Sequence, residues 1–354
     1  MAFPLEAVPN FSEGRDQAVV HAIAEALGAR AALLDVHSDA DHNRSVFTLA
    51  GSEQELVAAL LEGVAAACER IDLRRHEGVH PCVGVADVLP IVAVRPEDME
   101  RARGCALELA RRIGAELELP IFLYGELAAG RRLAELRRGG SAELARRMES
   151  AELKPDFGPA TLDPRTGAVL VGARYPLIAF NVNLRGGLEA AREIAGLVRE
   201  DGGGFAGVRA LGLQLGGGFE PAASRALGAP LSVLRRKGRC AQHGPGERGA
   251  FSGVRRLWAA GRARTVGAAG REPESGLVQV SMNIEDWHKS GLAEIVTRIK
   301  REAAQRRVEV AGSELVGLIP VGAADEAEQA ALLFAPSQIL ELRLGSELGE
   351  DFDL

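Results

Sequence analysis

Six residues, "DADHNR" at 39 to 44, separate two strand-like stretches, "AALLDVHS" (31–38) and "SVFTLAG" (45–51). A link that short can only turn the chain back antiparallel, because a parallel crossover needs about a dozen residues or more. An antiparallel pair set among helices excludes a purely parallel, doubly wound sheet. It predicts the α+β class, with layered subdomains built on mainly antiparallel sheets.

Helical spacing is clear elsewhere. "SEQELVAALLEGVAAACERI" (52–71) puts Leu56, Leu60, Val64, Ala67 and Ile71 on one stripe, with Ser52 as cap and Glu55 three residues on. "RPEDMERARGCALELARRIGAEL" (95–117) opens with Pro96 and acids, a helix-start pattern. Two further helices are expected at 187–200 and 292–306. Strand patterns alternate with these helices: "LEAVPNF", "DVLPIVAV", "PIFLYG", "AVLVGAR", "LIAFNVNL", "VQVSMNIED" and "VEVAGSELVGLIPV".

A boundary is expected near Tyr175–Pro176. It gives one subdomain over 1–176, a second over 177–324 and a helical tail over 325–354. "VRALGLQL" (208–215) and "GLVQVSMNIEDW" (276–287) read as two strands of a hairpin. Residues 216–275 divide them and hold 11 Lys+Arg against 4 Asp+Glu, with 12 Gly. That basic, aperiodic stretch reads as a surface insertion, long for a connection inside a compact domain, with one short helix around "AFSGVRRLWAAGRA".

The net charge of −7 argues against a nucleic-acid partner. No apolar run approaches the roughly 18 residues of a membrane span, and "MAFPLEAVPNFSEGR" lacks the basic-then-apolar order of a signal peptide. Cys68, Cys82, Cys105 and Cys240 follow no pairing pattern, which points to reduced thiols and a cytoplasmic setting.

Two polar clusters carry the chemistry. "DVHSDADHNRS" (35–45) and "RRHEGVHP" (74–81) together offer His37, Asp39, Asp41, His42, His76 and His80, with Asp87 just beyond. They are numerous enough to ligate a metal, yet equally a set of polar turns rich in side-chain-to-backbone hydrogen bonds. His80 stands out because Pro81 forces it into extended geometry ahead of an apolar strand. An imidazole there is held in place, with a pKa suited to proton transfer at neutral pH. "PDFGPATLDPRTGAV" (155–169) is stiffened by its prolines and opened by its glycines, so it reads either as a ligand-approaching loop or as a linker.

Taken together, "AVPNFSEGR", "DVHSDADHNRSVFTL", "HEGVHPCVGVADVLPI", "PIFLYGE", "PDFGP", "GARYPLIAFNVNL" and "LVQVSMNIED…GSELVGLIPV" resemble the formiminotransferase family in order and spacing. The likeness runs from about residue 5 to 325, apart from 216–275. The resemblance implies transfer of a formimidoyl group between N-formimidoyl-L-glutamate and tetrahydrofolate, as in histidine degradation and one-carbon metabolism. It implies two α+β subdomains with folate in a cleft between them, and a homodimer. It implies no metal and no membrane or nucleic-acid partner. His80 matches the catalytic histidine. The folate-binding loop maps to Gly158, Pro159, Ala160, Thr161, Leu162, Asp163, Pro164, Arg165, Thr166 and Gly167. Asn10, His37, His42, Asn43, Arg44, Asn181 and Asn183 are the candidate substrate-binding residues. Cys82 departs from the arginine the family commonly has after His-Pro. The competing expectations are a folate-dependent transferase with another acceptor, a non-catalytic folate-binding protein, and a metal hydrolase using His37, Asp39, His42 and His80.

Overall fold

The computed structural model describes residues 3–79, 81–215, 276–323 and 336–348. His80, the 216–275 segment with its expected helix, and most of the 325–354 tail lie outside the described residues.

The short "DADHNR" link does return the chain on itself. Strand β3 (Ala32–Asp39) pairs antiparallel with β4 (Arg44–Gly51), Asp39 opposite Arg44. "LEAVPNF" is not one strand but two, β1 (Leu5–Ala7) and β2 (Asn10–Phe11). Both lie between β4 and β5 (Ala86–Val92). Pro9 sits at the break, where it has no N–H to give the ladder. Beyond β5 the sheet continues with β7 (Val169–Arg174) and then β6 (Ile121–Gly125), both parallel to their neighbours. The seven-stranded sheet is therefore mixed, its left half antiparallel.

Its first face is closed by three helices. α1 (Gln17–Gly28) is capped by the Asp16 carboxylate, which accepts from the Ala18 and Val19 N–H groups. α2 (Glu53–Arg70) begins with the expected Ser52–Glu55 capping box. α3 (Met99–Glu116) follows a short 3₁₀ turn at Pro96–Asp98. Phe11, Ile23, Phe47, Leu60, Leu89, Leu109 and Ile113 are among the fully buried side chains of this core. On the opposite face, α4 (Leu133–Arg137) and α5 (Gly140–Glu149) cover Val88, Phe122 and Leu170. The helix Leu340–Leu348 sets Leu340 and Leu344 against Leu34 and Ala50. The middle of that face is polar.

The second sheet has the order β11 (Glu309–Val316), β8 (Ile178–Arg185), β10 (Leu277–Ile284), β9 (Val208–Gln214), all antiparallel. β9 and β10 pair in register from Val208↔Ile284 to Gln214↔Val278, as the hairpin pattern predicts. One face packs Phe180, Val182, Val280 and Ile284 against α6 (Leu188–Val198) and α7 (Leu292–Gln305). The other face is polar where it carries Asn181, Asn183, Gln279 and Glu314. Three of these are nonetheless buried: Asn181, Asn183 and Gln279. Among the described residues no helix is long and apolar enough to cross a membrane.

Candidate active site

Strand alternation sends Asp35, His37 and Asp39 to the side of the first sheet opposite α1–α3. Their register partners Thr48, Val46 and Arg44 share that side. Asn10, paired with Val46, joins them. A register shift between β2 and β5 skips Asp87, with Asn10 opposite Val88 and Phe11 opposite Ala86. Such a bulge re-aims a side chain, and here Asp87 reaches Arg137 of α4 in a buried ion pair. Its second oxygen accepts the Val83 N–H at 2.8 Å. Asp87 thus pins the segment that follows His80.

Asn10, Phe11, Ser12, His42, Asn43, Arg44, His76, Cys82 and Asp87 line one pocket at this end of the sheet. Its walls are three loops sewn together by Asn43. That residue has φ +47°, a left-handed conformation asparagine tolerates. Its Oδ1 accepts the Gly14 N–H at 3.0 Å and its Nδ2 donates to the Glu77 carbonyl at 3.1 Å. Gly14 has no alternative, since a Cβ there would collide with the Asp39 carbonyl and the Arg44 backbone. Asn43, one of the candidate substrate ligands, therefore has a structural task of its own.

His42 is fully buried, and its Nδ1 bonds the Asp39 carboxylate. Asp39 also accepts the N–H groups of Asp41 (2.8 Å) and His42 (2.9 Å). Burial alone would raise its pKa. The hydrogen bonds and charge of His42 more than offset that, holding the carboxyl at about 2. His76 faces the Ser12 carbonyl through Nδ1 at 3.1 Å, so that nitrogen carries the proton. Its 3.3 Å approach to the Asn43 amide is then a contact between two donors. Burial lowers the His76 pKa and keeps the ring neutral. Cys82 is half-buried, and burial pushes its thiol up to about 11. It is protonated at neutral pH and is no nucleophile.

Arg44 is the cation of the pocket. Burial, then the nearby Arg137 charge, lowers its pKa to about 10, partly offset by Asp39, Asp87 and Glu314. Its Nε has no hydrogen-bond partner, and the guanidinium forms no ion pair within 4 Å among the described residues. A half-buried guanidinium of this kind, its Nε unbonded, is suited to a carboxylate.

The 158–167 loop does not line this pocket, yet it is tied to the strand entry after His80. Gly84 bridges Gly167, the Ala168 N–H donates to the Val83 carbonyl at 3.0 Å, and the Val85 N–H donates to Thr166 at 2.9 Å. Gly158 and Gly167 have φ +80° and +72°, and a Cβ would strike the Leu119 and Val83 carbonyls respectively. Arg165 is turned away, its Nη2 bonding the Cys68 carbonyl at 2.6 Å.

The remaining sequence candidates sit elsewhere. His37 approaches Glu314 of the second sheet, at 3.5 Å from Nε2 to Oε1. Asn181 Nδ2 lies 3.5 Å from the other Glu314 oxygen. Asn183 Oδ1 accepts from Gln279 at 2.9 Å. Sequence reasoning missed Ser12, Arg137 and Glu314. Ser12 and Glu314 stand inside quoted motifs, "NFSEGR" and "GSELVG"; Arg137 lies in a run of arginines with nothing to single it out.

Comparison with known proteins adds the following. The description "Formiminotransferase domain, N-terminal subdomain" matches residues 4–174, and "Formiminotransferase domain" matches 179–336. A glutamate formimidoyltransferase of Streptococcus pyogenes is 32% identical over 329 residues, 91% of this chain and 91% of that protein. One from Thermoplasma acidophilum is 31% identical over 324 residues, 89% and 88% of the two chains. A formimidoyltransferase-cyclodeaminase of Sus scrofa is 35% identical over 325 residues, 90% of this chain but 50% of its own length. The chain thus spans about half the length of such fused relatives.

Proposed function

The chain belongs to the formiminotransferase family, and from that we propose that it is a glutamate formimidoyltransferase, moving the formimidoyl group of N-formimidoyl-L-glutamate to tetrahydrofolate. The observation that carries the reading is the pocket around Arg44. It holds a half-buried guanidinium, its Nε buried and unbonded, without an ion-pair partner among the described residues, at the end of the sheet where Asp87 pins the chain just past His80.

In this reading Arg44, with Asn10 beside it, takes a carboxylate of the formimidoylglutamate. His80 supplies the proton transfers. As the folate amine attacks the formimidoyl carbon, a C–N bond forms and the amine proton passes to the imidazole. As the tetrahedral carbon collapses, the bond to the glutamate nitrogen breaks and the proton returns to that leaving amine. One imidazole can take up and return the proton in turn, and the chemistry requires no metal. The Asp39–His42 couple stiffens the wall on which Arg44 sits. The 158–167 loop, held by its contacts with Val83 and Val85, is assigned to folate, in the cleft between the subdomains 1–176 and 177–324. A cytoplasmic homodimer completes the reading.

The test is to supply purified protein with tetrahydrofolate and formimidoylglutamate and follow 5-formimidoyltetrahydrofolate. His80→Ala is expected to keep its fold and lose about 10²- to 10⁴-fold in turnover. Near-normal turnover in that variant would remove His80 from the reaction.

A further inference from the structure

We infer that His37, Asp39 and Glu314 form a binding site for a first-row divalent cation of the zinc class, spanning β3 of the first sheet and β11 of the second. One ligand atom from each residue lies within 4.8 Å of the other two. His37 Nε2 lies 3.5 Å from Glu314 Oε1. That is long for a hydrogen bond, and Nε2 is buried with no hydrogen-bond partner among the described residues. It is close to the separation of roughly 3.3 Å between two ligands at the corners of a tetrahedron with bonds near 2.0–2.1 Å. Zinc takes imidazole nitrogen and carboxylate oxygen as ligands, and three protein ligands leave a fourth position for water.

The surroundings fit as well. A ligating carboxylate is normally oriented by a hydrogen bond from behind. Asp39 has His42 in that place. Asp39 accepts three hydrogen bonds, and an ionised carboxylate offers about four lone-pair directions. One is left, on the oxygen that faces His42. Arg44 opposes the cation, since its charge already acts on both Asp39 and Glu314. The site should accordingly exchange its metal with solution rather than hold it through purification. It is distinct from the transfer chemistry proposed above and does not depend on it.

The experiment loads the full-length, metal-stripped protein with Zn²⁺ in competition with a chromogenic chelator, and in parallel with Co²⁺ followed by absorption. One equivalent per chain is expected, with a rise in melting temperature because the ion joins two sheets. Co²⁺ should give tetrahedral d–d bands without a thiolate charge-transfer band. His37→Gln and Glu314→Gln, checked for folding by circular dichroism, should each weaken uptake by at least about tenfold. Unchanged uptake in both folded variants overturns the proposal, as does absence of uptake by the wild type. If a variant does not fold, the wild-type Co²⁺ spectrum decides: a thiolate band places the metal on cysteine and overturns the assignment equally.

Discussion

Glu6 is the residue whose replacement should reveal most about how this fold balances its charges. It lies on β1 between Ala50 and Val92, on the polar side of the first sheet, and is 5% exposed. Burial is the largest influence on its carboxyl. Arg174 pulls its pKa down and Glu341, on the helix that covers this face, pushes it up. The result is a rise from 4.5 to about 7. Between those two values the native state keeps a proton that the unfolded chain has lost. Stability therefore falls as pH rises through that window, and the loss is complete above about pH 7. At about 1.36 kcal/mol for each step of one in pKa, the full loss is about 3 kcal/mol.

Glu6→Gln keeps the shape of the protonated carboxyl and removes the titration. Urea unfolding of wild type and variant at about pH 5 and about pH 8 isolates the effect, since titrating groups that do not interact with Glu6 cancel in the difference. Near pH 5, just inside the window, the variant should lead by less than about 1 kcal/mol. Near pH 8 the variant should be the more stable by about 3 kcal/mol. A difference that is the same at both pH values would refute the argument, because it would mean that Glu6 does not titrate differently in the folded and unfolded chains.

Removing one partner of the buried Asp87–Arg137 pair leaves a charge without compensation, so Asp87→Ala should cost about 3–5 kcal/mol in unfolding measurements. The double variant Asp87→Leu/Arg137→Met should recover most of that. Replacing 216–275 by a four-residue Gly/Asn turn should leave a folded protein, since β9 and β10 already pair as far as Gln214↔Val278. Closing about 60 residues rather than about 4 costs roughly 2.4 kcal/mol of loop entropy, and insoluble protein would show the segment to be structural. Exhaustive EDTA treatment should leave turnover intact, with a stopped reaction pointing to metal-dependent chemistry.

What the sequence made legible follows from how far each signal reaches. The β3–β4 turn, the Ser52 box and the α2 stripe are set within a few residues, and all three form as expected. α1 went unread although Asp16 and its apolar positions Val20, Ile23 and Leu27 mark it in the same local way. α4 and α5 gave a weaker signal, with few apolar positions and two left-handed glycines, Gly139 and Gly140, at their junction. Pairings set by tertiary context were beyond reach: nothing local shows that β7 lies between β5 and β6.

The site shows the same limit more sharply. Period two across "DADHNR" is enough to place His37, Asp39 and Arg44 on one face, because an antiparallel turn fixes which residues oppose each other. It is not enough for Asp87. Strict alternation would set Asp87 with Leu89 and Ile91 against α3, burying a carboxylate among hydrocarbon. The shift opposite Asn10 and Phe11 sends it to Arg137 instead. That correction depends on a neighbour more than about 70 residues away in the chain, and the counter-charge that makes it tolerable comes from Arg137, 50 residues away. Glu314 is more distant still, arriving on a different sheet to meet His37. The polar residues of a strand can thus be listed from sequence, but which of them become a site is decided by the second surface that closes over them. Here that surface brings a carboxylate to a half-buried imidazole and leaves the half-buried guanidinium of Arg44 without an ion-pair partner among the described residues, available to a ligand.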